Sequence, residues 1–282
     1  NEPRIVSYSA VVCANRGMLK RTVSVLFASV DFASHAFMFC AQHSNYDHHI
    51  SIFSPQGRLY QMEYCFKAAN SGLTVVAVRG KDSAAVVTQK KVPDRLMVAD
   101  SVTHLFAVSS TVGVCVTGTM GDCKNFVQRA RKEAGEWTYN NGYPCPVSVI
   151  AQRMADLAQI KSQVASFRPL AVIACFIGVD DIKGPIFYKV DCAVHFLPYF
   201  ASAAGPKEQE AMNSLEKQTG LKEAEADKVV RTAITCLGNV LGSDFKGSEI
   251  EVAQVIGKGK FTILTEDEIE GHLNAIAEDA DA

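Results

Sequence analysis

The sequence predicts a layered α/β fold, in which paired strands and paired helices alternate along the chain. Apolar segments of strand length occur in pairs separated by short turns, and amphipathic segments of helix length occur two at a time between those pairs. Hydrophobic residues make up 48% of the 282 residues, enough for one substantial α/β core or two small ones. Several layered architectures share this order, so the pattern alone predicts no more than the fold class.

The segment from Tyr46 to Tyr64 predicts an extended run, a turn and a helix. Residues 49–53 include β-branched and aromatic side chains. The tetrapeptide Ser54-Pro55-Gln56-Gly57 then places Ser, Pro and Gly where a type I turn favours them. Apolar residues next recur every three or four positions, which predicts a short amphipathic helix; they are Leu59, Met62, Phe66 and Ala69.

The remaining elements follow in a regular order. Alternating or continuous apolar runs predict strands at 73–79, 83–89, 104–108, 112–117, 170–179, 185–190, 195–201, 250–256 and 260–264. Apolar residues at helical spacing predict helices at 121–141, 147–166, 206–219 and 222–241. A final helix is expected to start at Thr265, because Glu268 three residues later completes a capping box.

Charge and cysteine usage exclude some classes of protein. The net charge of -2 gives no reason to expect nucleic-acid binding, since a basic face is the usual footprint of phosphate binding. The nine cysteines form no Cys-x-x-Cys pair, which favours reduced thiols and a location in the cytoplasm and nucleus.

The first 37 residues differ from the rest of the chain, and residues 22–42 are mostly apolar. A membrane span is one interpretation, but Asp31 near its middle would cost about 2.5–3.5 kcal/mol. A signal or transit peptide is a second interpretation. The third, which we favour, is an upstream extension over residues 1–37, outside the mature protein, followed by one domain over residues 38–282 that starts near Met38. No membrane association is expected of that domain.

The segment Tyr46–Tyr64 resembles the N-terminal signature of the alpha subunits of the 20S proteasome. The similarity lies in Tyr46-Asp47, in Ser54-Pro55-Gln56-Gly57-Arg58-Leu59 and in Gln61-Met62-Glu63-Tyr64, and it extends to about Asp279. Stretches such as residues 78–82, 87–94 and 248–252 are most similar to the alpha-1 type, also called alpha type-6. The resemblance implies an α+β architecture, the four-layer αββα sandwich of the N-terminal nucleophile hydrolases.

The resemblance also implies two groups of site residues. Tyr46, Asp47, Pro55 and Tyr64 match a cluster that shapes the axial gate of the alpha ring, in which we expect hydrogen bonds between tyrosine hydroxyls and carboxylate. His48 stands where the family usually has arginine. Gly72 and His104 match a pocket that accepts the C-terminal tails of activators. A lysine usually occupies the second position, and histidine reaches less far.

The same resemblance argues against catalysis by this chain. In the active beta subunits, the first strand starts with a threonine that follows a glycine, and the free amine of that threonine acts as base. Here Leu73 follows Gly72, and Thr74 should face the opposite side of the strand. Gln89 and His104 occupy the positions of the catalytic aspartate and lysine. A catalytic threonine protease subunit of the same fold is the alternative, and an organelle-targeted relative is another.

The implied partners are proteins: two neighbouring alpha subunits, one beta-ring subunit, and proteasome activators or the regulatory particle. No cofactor is expected. A zinc site built from Cys40, His43, His48 and His49 is an alternative use of these side chains, but structural zinc sites usually show paired ligands in two separated clusters. We therefore predict no metal site.

Overall fold

The structure is a computed structural model that describes residues 46–180, 183–218, 220–242, 245–257 and 260–281. The chain divides into two compact units, one ending at Asp47 and one running from His48 to Ala282. Of the first unit only Tyr46 and Asp47 are described, and both have helical backbone. The predicted extension over residues 1–37 and the expected start near Met38 lie outside the described residues. All elements named below belong to the second unit.

The second unit alternates strands and helices as the sequence predicts. The strands are β1 (Val75–Arg79), β2 (Ser83–Gln89), β3 (Leu105–Ala107), β4 (Val112–Gly118), β5 (Val172–Asp180), β6 (Gly184–Val190), β7 (Phe196–Pro198), β8 (Ala201–Ala204), β9 (Ile250–Ile256) and β10 (Thr262–Ile263). The helices are α1 (Tyr60–Ala69), α2 (Met120–Asn141), α3 (Val147–Gln163), α4 (Glu208–Glu216), α5 (Ala226–Leu241) and α6 (Glu266–Asp281). Short 3₁₀ turns at Ala99–Ser101, Leu221–Glu223 and Gly247–Glu249 complete the described elements.

The strands form two antiparallel sheets. The first sheet has the order β10-β9-β2-β1-β8, and the second has the order β3-β4-β5-β6-β7. The hairpin β1–β2 is closed by a turn in which the Gly80 amide donates to the Ser83 carbonyl over 2.8 Å. Both sheets are therefore built around hairpins between consecutive strands, as the paired apolar runs indicate.

Three apolar clusters define the layers. One lies between the two sheets, a second lies between the second sheet and helices α2 and α3, and a third joins the first sheet to α4, α5 and α6. In β1 the side chains alternate between clusters: Val75 belongs to the cluster between the sheets, whereas Val76 belongs to the one under α5. Because helices cover the outer face of each sheet, the strands are apolar on both faces. In the sequence they therefore appear as continuous apolar runs. The order of layers is helices, sheet, sheet, helices, which confirms the predicted four-layer sandwich.

The segment predicted as one strand over residues 195–201 is in fact two strands, and this prediction was wrong. Residues 196–198 form β7 in the second sheet, whereas residues 201–204 form β8 in the first. The chain changes sheets between them: the Tyr199 amide donates to Phe187 of the second sheet over 3.1 Å. The Phe200 carbonyl accepts from the amide of Arg79 in the first sheet over 2.7 Å. An apolar run contains no signal for such a change, since both halves are strand-like.

The capping box predicted at the last helix is present. The Thr265 amide donates to the Glu268 carboxylate over 2.8 Å, and the Glu268 amide contacts the Thr265 hydroxyl at 3.4 Å. Two backbone donors at the helix start are thereby satisfied.

Candidate functional site

The turn before helix α1 has the conformation that its residue types favour. The Gly57 amide donates to the Ser54 carbonyl over 2.8 Å, closing the predicted four-residue turn. Gly57 has a φ of 74°, a value that suits glycine because it has no Cβ. The Ser54 hydroxyl accepts from the Arg58 amide over 3.1 Å, and Ser54 is 4% exposed. A buried serine therefore fixes both ends of the turn.

Helix α1 packs its apolar stripe between the sheets. Met62, Cys65 and Ala69 are buried in the cluster that lies there. On the opposite side Arg58 and Glu63 form a two-bond ion pair of 2.6 and 2.9 Å at the surface. Exposed pairs of this kind add little stability, so the apolar stripe is the main reason that α1 is held in place.

The connection from α1 to β1 leaves room for glycine only. A Cβ added at Gly72 would meet the backbone nitrogen of Gly118 and would lie 2.5 Å from the Thr117 hydroxyl oxygen. That hydroxyl donates to the carbonyl of Leu73. Close packing of two backbones therefore accounts for glycine at position 72 without any ligand.

Thr74 lies directly before β1 and is 2% exposed. Its carbonyl accepts a hydrogen bond of 3.3 Å from the Thr88 hydroxyl on β2. The chain continues through Leu73 and Gly72 into α1, so the amine of Thr74 is an ordinary peptide nitrogen. In the described structure Thr74 is therefore a buried residue within a continuous backbone.

His104 is buried next to β3, with 8% of its surface exposed. Its Nδ1 lies 3.2 Å from the Val116 carbonyl oxygen, and its backbone amide donates to the Glu251 carboxylate over 3.0 Å. Thr103 contacts the same carboxylate through its hydroxyl over 3.2 Å. Because a carbonyl oxygen can only accept, Nδ1 is the donor in this contact.

The four predicted gate residues are divided between the two compact units. Tyr46 and Asp47 close the first unit, whereas Pro55 and Tyr64 belong to the second. Pro55 occupies the second position of the turn and is exposed, and Tyr64 on α1 is 46% exposed and stacks on Tyr60 with ring centroids 6.4 Å apart. The predicted gate cluster stays a prediction.

Sequence reasoning missed an ion pair that joins α2 to the second sheet. Arg168 donates two hydrogen bonds of 2.8 and 2.6 Å to the Asp122 carboxylate, which also accepts from the Ala171 amide over 3.1 Å. The hydrogen bond from Arg168 lowers the pKa of Asp122, and burial acts in the opposite direction. The sequence signal for this contact was an aspartate in the first turn of an amphipathic helix. Its partner lies 46 residues away, so the sequence did not identify it.

No group of three or more potential metal ligands occurs among the described residues. Cys40 and His43, which belong to the alternative zinc site, lie outside that part of the chain. No helix within the described ranges is long and apolar enough to cross a membrane. The apolar stretch at residues 22–42 is not included in that search.

Comparison with known families gives two adjoining matches. Residues 46–68 match the model of the N-terminal signature of A-type proteasome subunits, and residues 69–255 match the model described as the proteasome subunit. The boundary between the two matches falls at the end of α1. The first match therefore covers the turn and helix described above, and the second covers both sheets through β9.

Individual relatives extend the similarity over most of the chain. The chain is 44% identical over 242 residues to a probable alpha type-1 proteasome subunit of Schizosaccharomyces pombe, covering 84% of this chain and 99% of that protein. It is 44% identical over 237 residues to an alpha type-6 proteasome subunit of Caenorhabditis elegans, covering 83% and 96%. An alpha-type proteasome subunit of Pyrococcus abyssi is 29% identical over 244 residues, covering 86% and 92%.

Proposed function

Because the chain belongs to the proteasome subunit family and carries the signature of its alpha-type members, we propose that it is a non-catalytic alpha-ring subunit of the 20S core particle. The observation that supports this most strongly is the match of residues 46–68 to the alpha signature, in a segment that forms a closed turn and a packed helix. Its role is structural: to complete a ring, to contribute to the gate that admits unfolded proteins, and to present a surface to activators.

The proposal that the chain lacks its own peptidase activity rests on Thr74. This threonine is buried, and its nitrogen is part of a continuous backbone from α1 to β1. A catalytic alternative would need cleavage before Thr74 and a rearrangement that exposes its hydroxyl. Gln89 and His104, at the positions of the catalytic aspartate and lysine, supply neither a carboxylate nor a permanent cation.

The proposed gate role rests on the four residues that the resemblance identifies. Tyr46, Asp47, Pro55 and Tyr64 would set the direction in which the N-terminal tail leaves the subunit. The turn supports this role, since Pro55 restricts φ to about -65° and the buried Ser54 holds both ends of the turn. His48, next to Asp47, stands where the family usually has arginine, a permanent cation. We therefore expect this tail to be held less firmly than in most alpha subunits.

The proposed activator pocket is supported less well. Gly72 is explained by backbone packing, and His104 uses Nδ1 and its amide for contacts within the chain. If an activator tail docks here, its carboxylate would meet an imidazole ring, which reaches less far than the ammonium group of a lysine. We propose that docking at this pocket is weaker than at pockets that carry lysine.

The proposed partners are two alpha neighbours, one beta-ring subunit, and an activator or regulatory particle. The proposed location is the cytoplasm and nucleus, in agreement with the buried free thiols of the described residues.

Purification of the tagged native chain tests the function directly. The tag is placed at the C-terminus, and the preparation is treated with an electrophilic probe that reacts with N-terminal threonines. We expect the chain to co-purify with other alpha and beta subunits and to remain unlabelled while beta subunits react. Labelling of this chain, or an N-terminus at Thr74, would establish the catalytic alternative instead. Recovery of the chain without any alpha subunit would contradict the ring role.

A further inference from the structure

Two cysteines with no part in the proposed function meet between the signature helix and the second sheet. Cys65 belongs to α1, and Cys192 follows the end of β6 by two residues. Both lie in the apolar cluster between the sheets, with 6% and 4% of their surfaces exposed. Their thiols bind to backbone carbonyls only two residues apart, and each cysteine is the main influence on the pKa of the other. Two residues 127 positions apart in the chain are thus adjacent in the fold.

Backbone carbonyls near the start of β5 fix the two thiols side by side. The Cys65 thiol donates to the Leu170 carbonyl over 3.2 Å, and the Cys192 thiol donates to the Val172 carbonyl over 3.3 Å. The Val172 amide donates to the Leu170 carbonyl over 3.0 Å, so a tight turn at the start of β5 brings these two acceptors together. Both sulfur atoms are thus bound to the backbone of one short turn.

The surroundings favour ionisation of one thiol of this pair. A hydrogen bond from the Cys192 thiol stabilises the ionised form of Cys65, which lowers the pKa of Cys65 and raises that of Cys192. Burial raises the pKa of Cys65, and the Arg168 guanidinium lowers it. When Cys65 loses its proton, the Cys192 thiol can rotate from the Val172 carbonyl to the new thiolate. The thiolate is the reactive form of cysteine.

A cleft reaches one member of the pair. Cys192 lines it together with Arg129 and Lys161. Leu170, whose carbonyl binds the Cys65 thiol, lines the same cleft. A molecule as small as hydrogen peroxide that enters the cleft therefore comes next to Cys192 and to the group that holds Cys65.

We propose that Cys65 and Cys192 are a redox pair, which hydrogen peroxide converts to a disulfide that fastens the signature helix to the segment after β6. The Cys65 thiolate attacks one peroxide oxygen, the O–O bond breaks, and a sulfenic acid and hydroxide form. The Cys192 sulfur attacks the sulfenic sulfur, the S–O bond breaks, and the released hydroxyl takes the Cys192 proton as water. The hydroxide takes the proton that Cys65 lost. Two thiols are oxidised, and one peroxide is reduced to two water molecules.

The disulfide would restrict the motion of helix α1. It would close a loop from position 65 to position 192 and link α1 covalently to the chain that leaves β6, so α1 could no longer separate from the second sheet by local opening. This consequence does not depend on the proposed ring function, because both cysteines belong to the same folded unit.

Peptide mapping of the oxidised native protein tests the proposal. The full chain, purified with the partners it carries, is treated with increasing peroxide, denatured with iodoacetamide and digested without reduction. We expect loss of alkylated Cys65 and Cys192, with a matching gain of one cross-linked peptide that is two hydrogens lighter than the separate peptides. Dithiothreitol should restore both alkylated forms. In hydrogen exchange, the amides of α1 should exchange more slowly in the oxidised form.

The chain supplies a matched control pair. Cys115 on β4 and Cys175 on β5 lie opposite each other in the second sheet, and both are buried. Burial raises the pKa of Cys175 to about 12 and that of Cys115 well above its usual value. We expect this pair to stay reduced under conditions that oxidise Cys65 and Cys192. An equal yield of a disulfide between Cys115 and Cys175 would overturn the proposal, since proximity alone would then explain the bond.

Two variants complete the test. Cys192→Ser, which keeps a hydroxyl donor beside Cys65, should abolish the cross-link and leave Cys65 as a sulfenic acid that dimedone traps, whereas Cys175→Ala should leave the cross-link unchanged. If Cys65 and Cys192 remain fully alkylated at every peroxide concentration, or if Cys65 gives no dimedone adduct in Cys192→Ser, the redox pair does not exist.

Discussion

At the scale of single residues, the Asp122 carboxylate joins two elements that are distant in the sequence. It receives two hydrogen bonds from Arg168 and one from the Ala171 amide, so it ties the first turn of α2 to the start of β5. Its side chain is 11% exposed, while that of Arg168 is 66% exposed. The contact is thus partly screened by water on the arginine side and protected on the aspartate side.

We predict that Asp122→Ala destabilises the chain. Loss of charged hydrogen bonds at a buried site costs about 1.5–3 kcal/mol, and the amide of Ala171 would lose its acceptor. For a chain of this size each kcal/mol lowers the thermal midpoint by about 2–4 °C. The measurement is the melting midpoint of the purified assembly that contains the variant. Asp156→Ala, at an exposed position of α3, is the control, and equal midpoints for the two variants would contradict the prediction.

The same contact predicts a dependence on acid. Because the pKa of Asp122 is lowered by folding, its contribution to stability is fully present above the unfolded pKa of about 3.9. It is lost as the pH falls from there through the folded value. Asp122→Asn should therefore be less stable than the parent at pH 7 and should approach it below about pH 4. A constant difference between the two proteins across this range, in melts at several pH values, would argue against the ion pair as the cause.

A third prediction at this scale concerns the gate. We predict that Asp47→Ala alters the entry of substrates into the assembled core but leaves hydrolysis at the beta subunits intact, because the proposed role of Asp47 is to position the tail. Mutant particles are compared with a short peptide and an unfolded protein as substrates. His48→Arg, which restores the residue usual in the family, is the companion variant and should tighten the gate. Unchanged rates for both substrates in Asp47→Ala would leave the segment with a purely structural role.

At the scale of elements, helix α6 depends on its first turn. Thr265 and Glu268 satisfy each other's backbone amides, and the backbone and side-chain hydrogen bonds from Thr265 lower the pKa of Glu268. Much of the helix is half-buried or exposed, with Ile269 as the residue buried in its first turns. The start of the helix therefore relies on capping more than on packing.

We predict that Thr265→Ala frays the start of α6. The substitution removes an acceptor for the Glu268 amide and leaves the Glu268 carboxylate without its hydroxyl partner. Hydrogen exchange of the amides at 266–269 should accelerate, while that of β9 should not change. Glu278→Ala, near the other end of the same helix, serves as control. Equal exchange at 266–269 in Thr265→Ala and the parent would show that tertiary contacts, not the cap, hold this turn.

At the scale of the whole molecule, the second unit covers its signature helix with its own core, yet leaves apolar surface elsewhere. Met62 and Ala69 of α1 are buried. In contrast, Leu96, Met97 and Val98, between β2 and the first 3₁₀ turn, are 92%, 45% and 70% exposed. A contiguous exposed apolar segment indicates a contact with another protein, which agrees with assembly into a proteasome.

We predict that the isolated chain self-associates unless it is co-expressed with other alpha subunits. Sedimentation at micromolar concentration measures this, and the double variant Leu96→Ser with Val98→Ser should shift the distribution towards the monomer. Tyr139→Ser, on α2 at a position 91% exposed, should not. A stable monomer of the parent chain would contradict the prediction.

The sequence by itself determined the types of most elements, because periodicity and turn residues are local. The pairing of 83–89 with the preceding strand, the turn at Ser54–Gly57 and the capping box at Thr265 all depend on residues within a few positions of one another. The signature segment also identified the family, because its residues match those of the alpha signature at the same spacing.

Only the tertiary structure decided which distant residues meet. It divided the apolar run at 196–204 between two sheets, brought Arg168 to Asp122, and placed Cys192 against Cys65. These contacts join residues that are far apart in the chain. No local sequence pattern identifies which distant residue each of them will contact. The physical reason is that two sheets and two helical layers must bury their apolar faces together, so the packing of the layers fixes which side chains become neighbours.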